Sequence, residues 1–495
     1  MARAKITVHL NEPLGTIAPE LYGHFAEHLG GCVDGGLWVG EDSPIPNFAG
    51  LRADVIEALR KLNPPVLRWP GGCFADDYHW RDGTGIRRDR ARTVNIWWGQ
   101  TVENNHFGTH EFLNLCRFIG AQPYLAGNVG SGSPAELRDW VEYCNFPGDS
   151  SLARQRAANG SPQPFGVRYW GVGNENWNCG GSFCPEDYAA EYRRFATYLR
   201  DFGGTKIFLI ACGPDGNDLD WTRRFFTKLG PKFNRIHGYA AHYYCGTAGP
   251  SATDFDADDW YELLYKATLI ERLIEQQRAL MDEFDPHRRV RLVIDEWGTW
   301  HLPTPGRNPA FLWQQNTLRD ALVAAITLDT FNRHADKLAM CNIAQVANVL
   351  QAMVLTEGEK LVLTPTYHVF DLYQAHQGAQ SVRLSIEAPP LPVAHGDQRA
   401  SLPGLTGSAS VKNGLLTLSL VNPHASLPLD VSIRIVDASP RVAQVAVLAH
   451  ADLAAHNSFD DPDNLRPRDE EIAVAGNDWV YTCPPASVNV LQVRA

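Results

Sequence analysis

Long apolar runs are missing from this chain. No stretch of about 18 consecutive apolar residues occurs, so no membrane-spanning helix is expected. Basic runs are missing too: 56 acids stand against 44 bases, for a net charge of −12. That balance argues against nucleic acid as a main partner, because phosphate binding needs a positive surface. The opening "MARAKITVHLNEP" has one short alternating segment and no apolar core of the kind a secretory signal carries, so a cytoplasmic protein is expected. Internal repeats and low-complexity segments are absent. Cysteine is present without framework spacing. The ten are scattered, and Cys179 with Cys184 forms a single C-x4-C pair where a zinc site would want two. Free, mostly buried thiols in a reducing compartment are the expectation, with a structural disulfide or metal as the alternative.

What is there is a pattern of eight. Short apolar runs recur between residues 15 and 378: "ELYGHFAEH", "PVLRWPGG", "QPYLAGNVG", "GVRYWGVGNE", "KIFLIACGPD", "RIHGYAAHYY", "RLVIDEWG" and "KLAMCNIAQ". A helix candidate follows each, at 50–62, 109–120, 133–145, 185–203, 218–229, 256–285, 315–334 and 365–377. The third opens on Ser133-Pro134 with Glu136 three residues on, a capping box. Eight β–α repeats in this length predict a (β/α)8 TIM barrel at 15–378, an α/β fold with parallel buried strands. A doubly wound open sheet is the runner-up, but no strand leads into a Gly-x-Gly-x-x-Gly loop.

Beyond residue 378 the period changes to two. "SVRLSIEAP", "ASVKNGLLTLSLVNP", "LPLDVSIRIVD", "VAQVAVLAH" and "ASVNVLQVRA" alternate apolar and polar residues between Pro, Gly and Asn turns, as in an antiparallel β-sandwich of jelly-roll type. The N-terminal "AKITVHL" fits the same pattern. It is expected to complete the sandwich, giving a second domain of residues 1–14 plus 379–495.

Polar groups gather where a barrel concentrates function, at the C-terminal ends of its strands. They are Glu27, Arg68, Asn128, Asn174 with Glu175, Asp215, His242 with Tyr244, Glu296, and Gln345. Glycoside hydrolysis needs two carboxyl groups flanking one bond. Glu175 and Glu296 close the fourth and seventh runs, and Trp177, Trp297 and Trp300 beside them suit sugar faces. Either glutamate alone reads as well as a helix cap or a partner for Arg68. The pair at these two strands does not.

The first run also contains His24-x-x-Glu27-His28, the H-x-x-E-H order of a class of zinc peptidases. That pattern requires a helix with both histidines on one face. Here Pro19 and Gly23 precede it, Gly30-Gly31 follow, and a strand separates the histidines from Glu27. Glu27 then faces the barrel mouth as an acceptor for sugar hydroxyls, with an ion pair to Arg68 as the bland alternative. No metal and no organic cofactor are expected.

"RWPGGCFADDYHWRDG", "GVGNENWNCGG" and "VIDEWG" resemble glycoside hydrolase family 51, the α-L-arabinofuranosidases, over essentially the whole chain. The resemblance implies a retaining, exo-acting hydrolase releasing terminal α-L-arabinofuranosyl residues from hemicellulose or oligosaccharides, with Glu175 as acid/base and Glu296 as nucleophile. It places Glu27, Arg68, Asn174, His242, Tyr244 and Gln345 in the arabinose pocket, and implies a homo-oligomer, often a hexamer. The sequence departs from the family twice. Cys73 stands in "PGGCF" where many members carry Asn, so a weak thiol donor would meet the sugar. Asn178 holds a turn position where Gly is common. The long loop from Gly71 to Gly108, rich in aromatics including Trp98, is expected to wall the leaving-group side, with a packed satellite core as the alternative. Glu103 inside it is a weaker candidate for a further pocket acid. An endo-glucanase or β-xylosidase on the same scaffold, and a catalytically silent sugar-binding protein, are the competing readings.

Overall fold

The computed structural model describes residues 2–396, 398–437, 441–474 and 476–494. Met1 and Ala495, the ends of the range expected for the sandwich, lie outside them. All eight apolar runs form strands of one closed parallel barrel. They are Gly23–Phe25, Val66–Trp69, Gln122–Gly127, Tyr169–Val172, Phe208–Asp215, Gly238–Tyr244, Arg291–Gly298 and Leu338–Ala344, numbered one to eight here. Val66, Tyr124, Tyr169, Ile210, Ala240, Val293 and Met340, one from each of strands two to eight, pack the barrel interior. Strand one supplies Gly23 beside them. A Cβ there would come within 2.6 Å of Val66 Cγ1, so only glycine fits this crowded approach.

The helices follow as the periodicity predicts, with small differences at their ends. Pro134–Asn145 is capped by Ser133, whose Oγ accepts from the Glu136 N–H at 3.2 Å. Ala257–Phe284 starts under Asp256, which accepts from the N–H groups of Asp258 and Asp259. The helix expected at 185–203 stops at Tyr198, where Leu199 turns extended. Ser151–Ala158 is a helix that the sequence reading missed. Its "SLARQRAA" carries no apolar stripe for periodicity to register.

Among the described residues the C-terminal sheet has nine strands, and it carries its own apolar core, including Ile6, Val8, Leu418, Val431, Ile433 and Leu491. The N-terminal strand Ala2–Thr16 lies inside it, antiparallel to Gln380–Glu387 and parallel to Leu429–Val436. The parallel pair departs from the all-antiparallel expectation. Two strands went unforeseen, Arg468–Ala473 and Asp478–Cys483, and they form the two edges of the sheet. Edge strands need little apolar alternation, and charge along them discourages pairing with other chains. Asp329, on the helix Leu318–Arg333, joins barrel to sheet by accepting from Ser408 and Ser419.

Candidate active site

At the C-terminal mouth of the barrel a narrow pocket is lined by Glu27, Cys73, Trp98, Glu175, Tyr244, Glu296, Trp300 and Gln345, with Leu29, Leu312 and Leu350 as its apolar side. Arg68 and Asn174 lie buried beneath, and His242 stands between the two catalytic candidates. The two catalytic candidates and Glu27, Arg68, Cys73, Trp98, Asn174, His242, Tyr244 and Gln345 therefore converge on one place.

Strand seven positions Glu296 through an irregularity. Ala241 pairs with Ile294 and His242 with Glu296, so Asp295 is an extra residue on strand seven. Such a bulge re-aims the side chains around it. Asp295 takes Tyr124 Oη at 2.7 Å and Asn342 Nδ2 at 3.0 Å, with Arg68 Nε 3.5 Å away. Glu296 takes the other side of the guanidinium, Arg68 Nη1 at 2.7 Å, and the Tyr244 hydroxyl at 2.7 Å. Burial works against its charge, but His242 and Arg68 outweigh that and hold its carboxyl below the ordinary value. Glu296 is a carboxylate built to stay ionised.

Glu175 sits three residues past strand four. Its Oε1 is 2.9 Å from His242 Nδ1, and burial raises its pKa, with the charge of Glu296 acting in the same direction and His242 against it. The imidazole is shared: its Nδ1 is also 3.6 Å from Glu296, and the two carboxylates raise its pKa against burial. One oxygen of each glutamate and a nitrogen of His242 all lie within 4.8 Å of one another. Two neighbouring carboxyl groups are thus pushed in opposite directions by their surroundings.

Glu27 lies two residues beyond strand one. It accepts from the Phe74 N–H at 3.1 Å, Trp98 Nε1 at 2.9 Å and Gln345 Nε2 at 3.2 Å, and not from Arg68. Burial, helped by the charge of Glu296, pushes it up to about 7. Gly72 makes room for it, since a Cβ there would meet both carboxylate oxygens at 2.7 Å. The histidines of the zinc-like pattern point elsewhere. His24 packs against Phe370, and His28 pairs with Glu103 at 3.3 Å. Among the described residues, neither belongs to a group able to hold a metal ion.

Two expectations about cysteine are corrected. Cys73 is bonded to Cys179, so it has no S–H to offer a sugar, and the thiols are not all free. The partners are 106 residues apart, and only the barrel, which brings the loops after strands two and four together at its mouth, joins them. The other eight are free, Cys184 exposed and the rest buried. Asn178 is not left-handed; Gly181 and Ser182 take the positive φ in this turn. Trp297 is core, packed on Phe331 and Phe370, whereas Trp300 is 36% exposed on the pocket rim. Asn128 caps the N–H groups of Ser131 and Gly132.

The loop Gly71–Gly108 divides between its two readings. Phe74, Tyr78, Trp80 and Phe107 are buried in an aromatic cluster with Trp69 and Trp140, while Trp98 reaches the pocket. A hairpin of Thr93–Asn95 and Thr101–Glu103 carries Trp98. Asn95 Oδ1 accepts from the N–H groups of Trp97 and Trp98, and its Nδ2 donates to Glu103 and to the His28 carbonyl.

Asp76 escaped the sequence reading. Buried after Cys73, it accepts from the N–H groups of Val129 at 2.7 Å, Gly130 at 3.0 Å and Asn174 at 2.9 Å, so it positions the segment carrying Glu175. Burial pushes it up to about 6. The "ADD" of "RWPGGCFADDYHWRDG" was its only signal. Asp295 was visible beside Glu296, but the bulge that turns it inward was not.

Comparison with known proteins agrees with this geometry. Residues 58–248 match the alpha-L-arabinofuranosidase 1 domain, and residues 295–487 match the alpha-L-arabinofuranosidase C-terminal domain. An intracellular exo-alpha-L-arabinofuranosidase of Bacteroides ovatus is 43% identical over 99% of this chain and 96% of its own length. The chain belongs to glycoside hydrolase family 51. The family 51 arabinofuranosidase of Xanthomonas axonopodis pv. citri superposes with a TM-score of 0.96 at 42% identity, covering 100% of both chains. An alpha-L-arabinofuranosidase of Thermotoga maritima, solved as an arabinose complex, gives 0.89 at 31% identity over 99% of this chain and 100% of its own. Family 51 thus accounts for barrel and sandwich together. Among the described residues, no helix is long and apolar enough to cross a membrane.

Proposed function

We propose that this family 51 protein is a retaining, exo-acting α-L-arabinofuranosidase that releases terminal arabinofuranosyl residues from hemicellulose or from arabinose-bearing oligosaccharides. The observation that carries the reading is the carboxyl pair with one oxygen of each within 4.8 Å, one group held ionised and the other with its pKa raised. Retaining enzymes place their carboxyl groups about 5–5.5 Å apart, closer than inverting ones. Glu296 attacks the anomeric carbon as Glu175 gives its proton to the departing glycosidic oxygen. Glu175, now a carboxylate, then takes a proton from water, which breaks the glycosyl ester. Glu27 and Gln345 present acceptors and a donor to sugar hydroxyls, Arg68 and Tyr244 orient the nucleophile, and Trp98 closes the side. A narrow pocket takes a terminal residue more readily than the middle of a chain, which favours exo action.

The relative from Bacteroides is named intracellular, and the reading places this chain in the cytoplasm as well. Self-association, implied by the family resemblance, belongs to the same reading and is measured by sedimentation. One preparation tested on aryl α-L-arabinofuranoside, β-xyloside and β-glucoside decides the activity. The arabinofuranoside should be cleaved fastest, with free arabinose released from arabinan before its viscosity falls. Faster xyloside or glucoside cleavage, or early loss of viscosity, would favour the competing hydrolases. No cleavage of any of them would leave a silent binding protein.

A further inference from the structure

The Cys73–Cys179 bridge lies in the pocket wall beside Glu175, and no step of the reaction above uses its sulfurs. Cys73 opens the short turn Cys73–Asp76 after strand two, and Cys179 follows Glu175 by four residues. Cys179 Sγ is 3.8 Å from Glu175 Oε2. The two sulfurs and a Glu175 oxygen all lie within 4.8 Å of one another. As a disulfide the sulfurs are poor ligands. As thiolates they would complete a set of two sulfurs and a carboxylate, the donors that soft divalent cations select.

We propose that reduction of this bridge turns Cys73, Cys179 and Glu175 into a site for a thiophilic divalent cation such as Zn²⁺, whose occupation removes Glu175 from the reaction. A tetrahedral zinc with Zn–S of about 2.3 Å and Zn–O of about 2.1 Å sets sulfur and oxygen about 3.6 Å apart. The present 3.8 Å between Cys179 and Glu175 is already close to that. The sulfurs must part to about 3.8 Å from each other, again for tetrahedral geometry. Their Cα atoms, 5.4 Å apart, accommodate this by side-chain rotation. His242, bonded to the other Glu175 oxygen at 2.9 Å, fixes the orientation of the carboxylate ligand from behind. Cys73 and Glu175 both face the pocket, so a water molecule can take the fourth position.

The chemistry balances in two steps. A dithiol reductant gives two electrons and two protons to the S–S bond and leaves as its own disulfide. The cation then displaces both thiol protons and the carboxyl proton of Glu175, all three passing to water, and binds two thiolates and the Glu175 carboxylate. In the reducing cytoplasm proposed above, where disulfides are uncommon, the bridge would set whether the enzyme responds to zinc. Inhibition rests on Glu175 being the acid/base; binding of the cation does not.

Full-length enzyme is compared as isolated and after reduction with a water-soluble phosphine, which takes the oxygen of water as the thiols form and is removed before metal is added. Cys184→Ser serves as the parent, so that the exposed free cysteine contributes nothing. Reduced protein should bind one Co²⁺ per chain with a thiolate-to-cobalt band in the near ultraviolet, displaced by Zn²⁺. Micromolar Zn²⁺ should lower its activity by about tenfold or more, reversed by a chelator, as metal affinity at thiolate sites allows. Oxidised protein should show neither effect, and reduced Cys179→Ser should lose the band. Absence of the band in reduced parent, or equal zinc inhibition of both forms, would overturn the proposal. A band without inhibition would keep the cation site and instead count against Glu175 as the acid/base. The comparison of oxidised with reduced parent stands even if the Cys179 variant does not fold.

Discussion

On the strand-seven side of the pocket, Glu296 meets a guanidinium, a phenol and an imidazole. On the strand-four side, Glu175 meets that same imidazole and a disulfide. Glu296 is buried and Glu175 partly so, and desolvation alone would raise both. The difference lies in Arg68 and Tyr244: both hydrogen-bond Glu296 directly, and Arg68 reaches the other side only through the amide of Asn174, at 2.5 Å. A buried guanidinium placed off-centre, with a phenol beside it, is what makes two like groups unlike. That asymmetry suits them to the separate roles proposed above, nucleophile and acid.

Removing the nucleophile should have the largest effect. Glu296→Ala is expected to lower turnover by about 10⁴-fold or more, as loss of a covalent nucleophile does. Added azide should restore reaction and yield the glycosyl azide of inverted configuration, identified by NMR. Turnover near wild type would remove Glu296 from its role. On the other side, Glu175→Ala should cost roughly 10²–10⁴-fold on substrates with poor leaving groups, the usual value of protonation. Activated aryl glycosides should lose far less in the glycosylation step, as a series of leaving groups would show. Equal losses across the series would mean that Glu175 is not the acid.

Smaller changes sharpen the comparison. Glu27→Gln should lower kcat/KM by about 10–150-fold, the worth of a charged hydrogen bond strengthened in the transition state. Exhaustive chelation of the oxidised enzyme should change nothing. Activity lost to a chelator and regained with zinc would revive the H-x-x-E-H pattern. The least effect is expected on rate and the clearest on pH. His242 works against the raising of Glu175 and helps lower Glu296, so His242→Asn takes a positive charge from both. The acid limb of the kcat/KM profile, set by Glu296, and the alkaline limb, set by Glu175, should both move to higher pH. Movement of one limb alone would show that the imidazole serves only one carboxylate.

The barrel was legible because each strand is a short apolar run followed by a helical period, and Glu175 and Glu296 because they end two of those runs. The sandwich edges were not, since Arg468–Ala473 has almost no apolar face to alternate. Nor was Asp295, because a bulge shifts side-chain direction without marking the sequence. Cys73 could be read as a departure from the family pattern, but its bond to Cys179 depends on two loops meeting across the barrel mouth. Contacts made by topology leave no local trace, and Asp76 with Asn174 is another of that kind.

In the proposed double displacement, Glu296 makes a glycosyl-enzyme and Glu175 resolves it from the same face. The most direct measurement adds methanol during hydrolysis of an aryl α-L-arabinofuranoside and reads the first methyl glycoside formed by proton NMR. Double displacement gives methyl α-L-arabinofuranoside, with configuration retained. Methyl β-L-arabinofuranoside as the first product would contradict it.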